Sequence, residues 1–478
     1  MNYRMTFYIV GQIMKVVGAA MIIPLIVGLI YGEEHVFASF GIPMAILLAG
    51  GFSLTIKKPS DKSVFSLEGF VSVAAAWIAV SLLGALPFVI SGEMNSYVDA
   101  VFETVSGFTT TGATILSDVE ALSKSVLFWR AFTHWLGGMG ILVLVLAVMS
   151  STNVRTMHMM RAECAGPKVG RIVSKSSFSA RILYGIYISL TVAEIIMLLL
   201  GGVSLYDAVL HACSSAGTGG FSNYASSIGH FDSVYVEMVI AVFILLFGVN
   251  FNLYYFLIIK KFSQVYKDEE LRVYFSTVLI ATVLITINVY QFYGSFGETI
   301  RHTFFMVSST ITSAGFSTAD TTQWPVFSQT LLWVLMFIGS CAGSTGGGMK
   351  VSRWIILFKS AIKEIKYIAN PRSVVSVKMN GKPVEQDVVR GVTSYSIIFV
   401  MIFIVSLLLV SLDKFSIEES ASAITTCMNN IGFGVGRFGP AGCLGGLSSF
   451  SKVVLSFDML VGRLEIYPLL MMFTIRRK

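Results

Sequence analysis

Charge is the scarcest property of this sequence. Asp, Glu, Lys and Arg make up 13% of its 478 residues, where soluble domains carry roughly 25%, so a large water-facing domain is excluded. Cysteine is sparse as well. Cys164, Cys213, Cys341, Cys427 and Cys443 are odd in number and show no CxxC spacing, which argues against a disulfide framework and against a zinc site. Several chemistry-bearing motifs are missing too. No HExxH occurs, CAGSTGGGMK at 341–350 lacks the Gly-Lys-Ser/Thr ending of a phosphate-binding loop, and the GxGxxG within GFGVGRFG at 432–439 follows no strand. The formal charge of +7 does not indicate nucleic acid, because the basic residues lie between apolar segments, where topology accounts for them.

What the chain has is apolar length. Hydrophobic residues are 55% of the total and mean hydropathy is +0.76. Apolar stretches of about 18 residues or more recur, enough to cross a hydrocarbon core as helices. The N-terminal segment is apolar for too long to be a signal-peptide core and carries Lys15 within it, so a retained first span is expected. Basic residues cluster at Lys57, Lys58 and Lys62, from Arg155 to Arg181, from Lys260 to Arg272, from Lys350 to Arg390, and at Arg476, Arg477 and Lys478. The intervening loops are acidic or nearly neutral, which predicts cytoplasmic clusters and two cytoplasmic termini. Between clusters the chain must cross out and back. This gives a leading pair of spans, about 7–31 and 37–56, and then four further units.

Those units repeat. Written without gaps, YVDAVFETVSGFTTTGAT (97–114), LYDAVLHACSSAGTGGFS (205–222), IRHTFFMVSSTITSAGFS (300–317) and IEESASAITTCMNNIGFG (417–434) align. Each begins amphipathic, becomes rich in Ser, Thr and Cys, and reaches a glycine at the same place: Gly112, Gly220, Gly315 and Gly432. The interval of about 100 residues suits a span–re-entrant–span module rather than a solenoid. One such segment alone could be a glycine-rich loop between spans. Four in register imply more, because open backbone at membrane depth survives only inside protein or beside water. If the four surround one axis, their carbonyls can replace the water around a cation. The glycines supply φ > 0 or close approach, and the short helix before each presents its C-terminal dipole to a cation. Asp99, Glu103, Asp207, Glu418 and Glu419 are expected on the outward side, where they would concentrate cations.

The segments FTTTGAT, GTGGFS, TSAGFS and NNIGFG resemble those of the Trk/Ktr/HKT superfamily of potassium transporters. The leading extra pair of spans, GSTGGGMK and GRLEI look like its Trk-type membrane subunit, and the resemblance covers essentially the whole chain. It implies an all-α integral membrane fold of four span–pore-loop–span repeats around a central pore with pseudo-fourfold symmetry, plus two N-terminal spans. The division expected is 1–62 for the N-terminal pair, 63–170, 171–268 and 269–390 for repeats 1 to 3, and 391–478 for repeat 4. The resemblance further implies K+ coordination by Thr110, Thr111 and Gly112, by Thr218, Gly219 and Gly220, by Ser313, Ala314 and Gly315, and by Asn430, Ile431 and Gly432. Glycine at 112 favours K+, since serine there goes with Na+ preference in the superfamily. K+ is thus the expected transported ion, with Rb+ and Na+ as further candidates and no organic cofactor. A homodimer in a prokaryotic inner membrane and a cytosolic nucleotide-binding ring subunit sensing ATP/ADP or NAD are implied as well.

Other polar intruders admit two readings each. The run Gly343, Ser344, Thr345, Gly346, Gly347, Gly348 and on to Lys350 interrupts the second span of repeat 3. It is either a flexible gate below the filter or a close glycine-mediated helix contact. Arg463 in VGRLEI is either a pore-facing charge or a partner of Asp458, Glu465 or Glu194. His134, His211 and His302 suggest a proton relay, or interspan hydrogen bonding. The insertion 353–390, with a hairpin expected at Asn380-Gly381, is a regulator-docking surface or a solvated basic loop. Three functions follow: a gated K+-selective pore, a proton- or sodium-coupled K+ symporter, and an intramembrane enzyme built on His134 or His211. For the third, no catalytic constellation is present, and an enzyme is not expected.

Overall fold

Where a sequence stays apolar across a membrane's thickness, its backbone must satisfy its own hydrogen bonds, and helix is the way to do so. The computed structural model describes residues 2–57, 59, 66–140, 176–372 and 375–473. Lys58, Lys62, the run from Arg155 to Lys175, Cys164 and the terminal Arg476, Arg477 and Lys478 lie outside these. Among the described residues, six helices are long and apolar enough to cross a bilayer: Tyr3–Ile30, Phe37–Thr55, Leu67–Ile90, Ala180–Leu200, Glu269–Tyr293 and Gln386–Asp413. They are the leading pair and the first span of each repeat. The architecture is the expected all-α one, four span–pore-loop–span repeats with two spans added in front. The leading pair is drawn together where Gly11 faces the Gly51 carbonyl, so close that a Cβ on Gly11 would stand 2.9 Å from that oxygen.

After each first span comes a short helix that re-enters the protein: Tyr97–Phe108, Leu205–Gly217, Phe296–Ile311 and Ile417–Met428. These pore helices share a start. Their N-cap residues are Ser96, Ser204, Ser295 and Ser416, and three positions on stand Asp99, Asp207, Glu298 and Glu419. Serine followed by an acid at that spacing is a capping signature. Ser96, Ser204 and Ser416 accept the N–H of the acid, and at Ser416 the reciprocal bond from its own N–H to Glu419 completes the box. Acids in a first helical turn also suit the helix dipole.

The second spans differ from the sequence reading, which marks a break only at 341–350. All four stop early. They run Lys124–Gly138, Val234–Phe247, Val326–Ile338 and Ser449–Arg463. In repeat 2 the chain turns by 91° into Phe251–Ile258, and in repeat 4 it resumes at Tyr467 after Leu464, Glu465 and Ile466. Hydropathy hides these breaks because apolar residues continue through them. The cause is packing against the pore helices. A Cβ on Gly137 or on Gly462 would collide with the carbonyl of Phe108 or Met428, the last residue of a pore helix. Arg463 therefore ends a half-helix rather than lying inside a continuous span.

The hairpin expected in the insertion of repeat 3 is present. Helix Val351–Ala369 leads to a two-stranded hairpin, with Met379 paired to Lys382 and Asn380 and Gly381 at φ of 53° and 76°, the left-handed pair of a tight hairpin turn.

Candidate functional site

Each pore helix ends in the same way. The N–H of Thr110, Thr218, Ser313 and Asn430 donates to the carbonyl three residues back. That of Thr111, Gly219, Ala314 and Ile431 donates to the carbonyl five back, on Ser106, Ser214, Ser309 and Thr426. This paired pattern is the Schellman motif, which needs a left-handed residue after the helix. Thr110, Thr218, Ser313 and Asn430 fill that position at φ of 55°, 53°, 58° and 54°. Non-glycine residues held there cost about 1–3 kcal/mol each, a strain characteristic of functional sites. Two residues later Gly112, Gly220, Gly315 and Gly432 again take positive φ, at 77°, 77°, 77° and 102°. Alternation of backbone hand turns successive carbonyls to the same side of an extended strand.

The four strands close on one another in chain order. A Cβ on Gly112 would overlap the carbonyl oxygen of Gly219, one on Gly220 that of Ala314, and one on Gly315 that of Ile431. From Gly432 the next oxygen is that of Thr111, which completes the circuit. Only glycine fits such an approach. The residues at 110–111, 218–219, 313–314 and 430–431 are buried, while the glycine of each trio is partly accessible. All twelve predicted coordinating residues thus come together. A ring of carbonyls of this kind can strip water from an alkali cation and stand in for it.

Behind the ring the packing is polar and asymmetric. Glu103 pairs with Arg130 at 2.5 Å, with both side chains at most 3% exposed. The carboxylate also accepts from the Thr114 hydroxyl at 3.0 Å and the Ile115 N–H at 3.2 Å. The guanidinium donates to the Ser222 carbonyl at 3.1 Å and lies 3.6 Å from the centre of the Phe221 ring. The pair therefore joins the strands just past Gly112 and Gly220, and Glu103 is not the outward cation attractor expected from its acidity. Asp99 is held by Lys452 at 2.8 Å, and Asp207 by Asn223 and Tyr224. Arg130 was legible in FWRAFTHW as an arginine inside an apolar span, and the recurring serine-acid spacing was legible too. Neither belongs to the predicted set.

The histidines make local hydrogen bonds. His134 Nδ1 meets the Ser214 hydroxyl at 3.2 Å, and its ring stacks on Phe221 and backs Gly219. His211 bonds the Asp207 carbonyl and Ser222, and His302 bonds Thr318.

Below the ring lies the glycine loop of repeat 3. The Gly347 N–H donates to the Ser313 hydroxyl and the Gly348 N–H to the Asn429 carbonyl, so the loop touches the underside of two of the four strands. Thr345 donates to the Phe247 carbonyl, and Lys350 turns its ammonium back onto the Gly346 carbonyl. Gly343 and Ser344 sit further off. The Gly343 carbonyl takes the Phe251 N–H, and the Ser344 hydroxyl bonds Ser340 and Cys341. Arg463 donates to the carbonyls of Thr345, Gly137 and Gly138. It thereby ties repeat 4 to the loop and to the end of the repeat 1 half-helix. Of its three proposed partners, Glu465 pairs with Arg353 at 2.6 Å and Asp458 accepts from Ser406.

Residues 35–477 match the protein family described as TrkH, cation transport protein. The chain is similar to the Trk system potassium uptake protein TrkH of Escherichia coli strain K12, at 36% identity with 99% of each chain covered. It is similar to TrkH of Vibrio parahaemolyticus, at 33% identity and 99% coverage of both. The crystal structure of the potassium transporter TrkH from Vibrio parahaemolyticus matches the fold with a TM-score of 0.89, at 31% identity over 99% of both chains.

Proposed function

The chain belongs to the TrkH family of cation transport proteins, a family of transporters rather than enzymes, and from that premise we propose that it takes up K+ through a gated, channel-like pore. The twelve ring residues are the filter, with K+ as cargo. The loop 343–350 is the gate, and Arg463 is the pore charge that sets its position. The observation that carries this reading is the closed circuit of glycine and carbonyl through all four repeats. The glycine-rich loop hydrogen-bonded beneath it supports the gate.

The rest of the proposal follows the same logic. The chain divides at 1–62, 63–170, 171–268, 269–390 and 391–478. It resides in a prokaryotic inner membrane with both termini in the cytoplasm, on the charge distribution of its loops. It works as a homodimer with a cytosolic nucleotide-binding ring subunit, and the insertion 353–390 is a surface for that partner. The test is ion flux into liposomes holding the purified chain alone, comparing K+, Rb+, Na+ and Li+. K+ and Rb+ uptake well above Na+ and Li+ is expected, and equal uptake of all four would overturn the filter assignment. Reversal potentials under imposed H+ and Na+ gradients separate a channel from a coupled symporter, since a channel shows no fixed stoichiometry.

A further inference from the structure

We propose that Glu270 is the latch of the 339–350 loop, and that the run Asp268-Glu269-Glu270 connects this latch to the cytoplasmic hairpin. The inference rests on the reading of that loop as a gate and assigns it a control point.

Glu270 lies in the first turn of the first span of repeat 3 and is 5% exposed. A single oxygen, Oε1, accepts two backbone hydrogen bonds, from Ala342 N–H at 2.7 Å and from Ser352 N–H at 3.0 Å. Those donors flank the glycine run on either side. Chain leaving the half-helix at Ile338 and chain entering the helix at Val351 are therefore drawn to one point, which makes the loop a closed neck with a glycine-rich head. The head meets the filter through Gly347 and Gly348. Glycines give the head conformational freedom, so the pinning of the neck contributes to its position together with the Arg463 bond to Thr345. Backbone bonds from Met349 N–H to Phe337 and from Val351 N–H to Ser340 also close the neck, and losing the Glu270 acceptor removes one further tie from each side at once.

The two preceding acids face the insertion. The Glu269 side chain takes Lys359 of the helix Val351–Ala369 and the Asn380 N–H at 3.3 Å. The Asn380 side chain in turn accepts the Glu269 N–H at 2.7 Å and donates to Asp268 at 3.1 Å. Lys359 also reaches the Lys378 carbonyl at 2.8 Å. Hairpin turn, cytoplasmic helix and first turn of the span are thus one hydrogen-bonded unit, and Glu270 is its inward end. Displacing the hairpin shifts that turn and withdraws Oε1 from the neck. Glu270 is a positioning residue, acting on permeation through the loop.

The chain carries its own reporter. Cys341 adjoins Ala342 and is 1% exposed, while Cys213 at 6% and Cys427 at 0% are buried on the pore helices. The full-length protein in liposomes is alkylated with a membrane-permeant maleimide, modification at each cysteine is quantified by mass spectrometry, and Rb+ uptake is measured in parallel. Glu270→Ala is expected to raise the Cys341 rate about tenfold, the effect of losing one or two ordinary hydrogen bonds, and to raise Rb+ uptake, with Cys213 and Cys427 unchanged. Glu270→Gln keeps an acceptor oxygen and is expected to stay near wild type. Asn380→Ala is expected to raise the Cys341 rate by a smaller factor. An unchanged Cys341 rate in Glu270→Ala, a parallel rise at all three cysteines, or a Gln variant as reactive as the Ala variant would overturn the latch. No change in Asn380→Ala would overturn its link to the hairpin. Vesicles that take up no Rb+ in any variant would count against the transport reading alone, since the alkylation pattern decides the latch independently.

Discussion

The carbonyl oxygen of Thr111 stands 2.8 Å from the point where a Cβ on Gly432 would sit, and this relationship joins the last repeat to the first. More than 300 residues separate the two along the chain, yet their backbones abut, at a wider spacing than in the three approaches between successive repeats. The ring is therefore a tertiary object that no single segment builds.

Gly112→Ser places a side chain where the Gly219 carbonyl stands, at a φ of 77° that serine resists. The expected outcome is a loss of K+ preference of about tenfold, equivalent to about 1.4 kcal/mol. It is read as a shift of the bi-ionic K+/Na+ reversal potential toward Na+, and an unmoved potential would sink the assignment of Gly112.

Deleting residues 343–348 removes the head of the loop and its bonds to Ser313 and Asn429. Basal K+ flux in the absence of any partner is expected to rise. Flux that stays level or falls in a correctly inserted protein removes the loop from gating.

Arg463 acts through a planar fork on three carbonyls of two other repeats. A lysine offers a point charge without that fork. Arg463→Lys is therefore expected to gate as poorly as Arg463→Ala, measured as partner-free Rb+ leak. A lysine variant that gates normally would show that charge alone matters.

Glu103→Ala strands the Arg130 guanidinium in a site with almost no water. Breaking one side of a buried pair costs about 3–5 kcal/mol, so thermal unfolding in detergent is expected to occur well below the wild-type temperature. The neighbouring strands at Thr114 and Ser222 lose their anchors together, and K+/Na+ discrimination is expected to weaken in the same variant.

The N-caps give a graded series. Ser416→Ala breaks a complete capping box and is expected to cost about 1 kcal/mol. Ser295→Ala removes a serine that makes no side-chain cap bond and is expected to be near neutral. Equal melting shifts for the two would count against the capping account.

The ring was legible because its constraint is local. A polar run ending in a glycine at the same place leaves the same mark four times, and alignment of the copies finds it. The leading pair and the first spans were legible because their apolarity is continuous. The breaks in the second spans were not, since Gly137 and Gly462 end their half-helices by touching carbonyls on other segments, while hydropathy runs on past them. The role of Glu103 was misread for a related reason. An acid near a pore mouth looks like a lure for cations until its partner, 27 residues away, is brought beside it by the fold.

The left-handed residue that closes each pore helix is Thr in two repeats, Ser in the third and Asn in the fourth. The Asn430 amide reaches across to the Thr111 hydroxyl at 2.8 Å and to the Met459 carbonyl at 3.0 Å. An assembly of identical subunits has to alter every quadrant with each codon it changes. Here one gene encodes all four quadrants separately, so inheritance can adjust them one at a time, and two of the four already carry a residue of their own at this position.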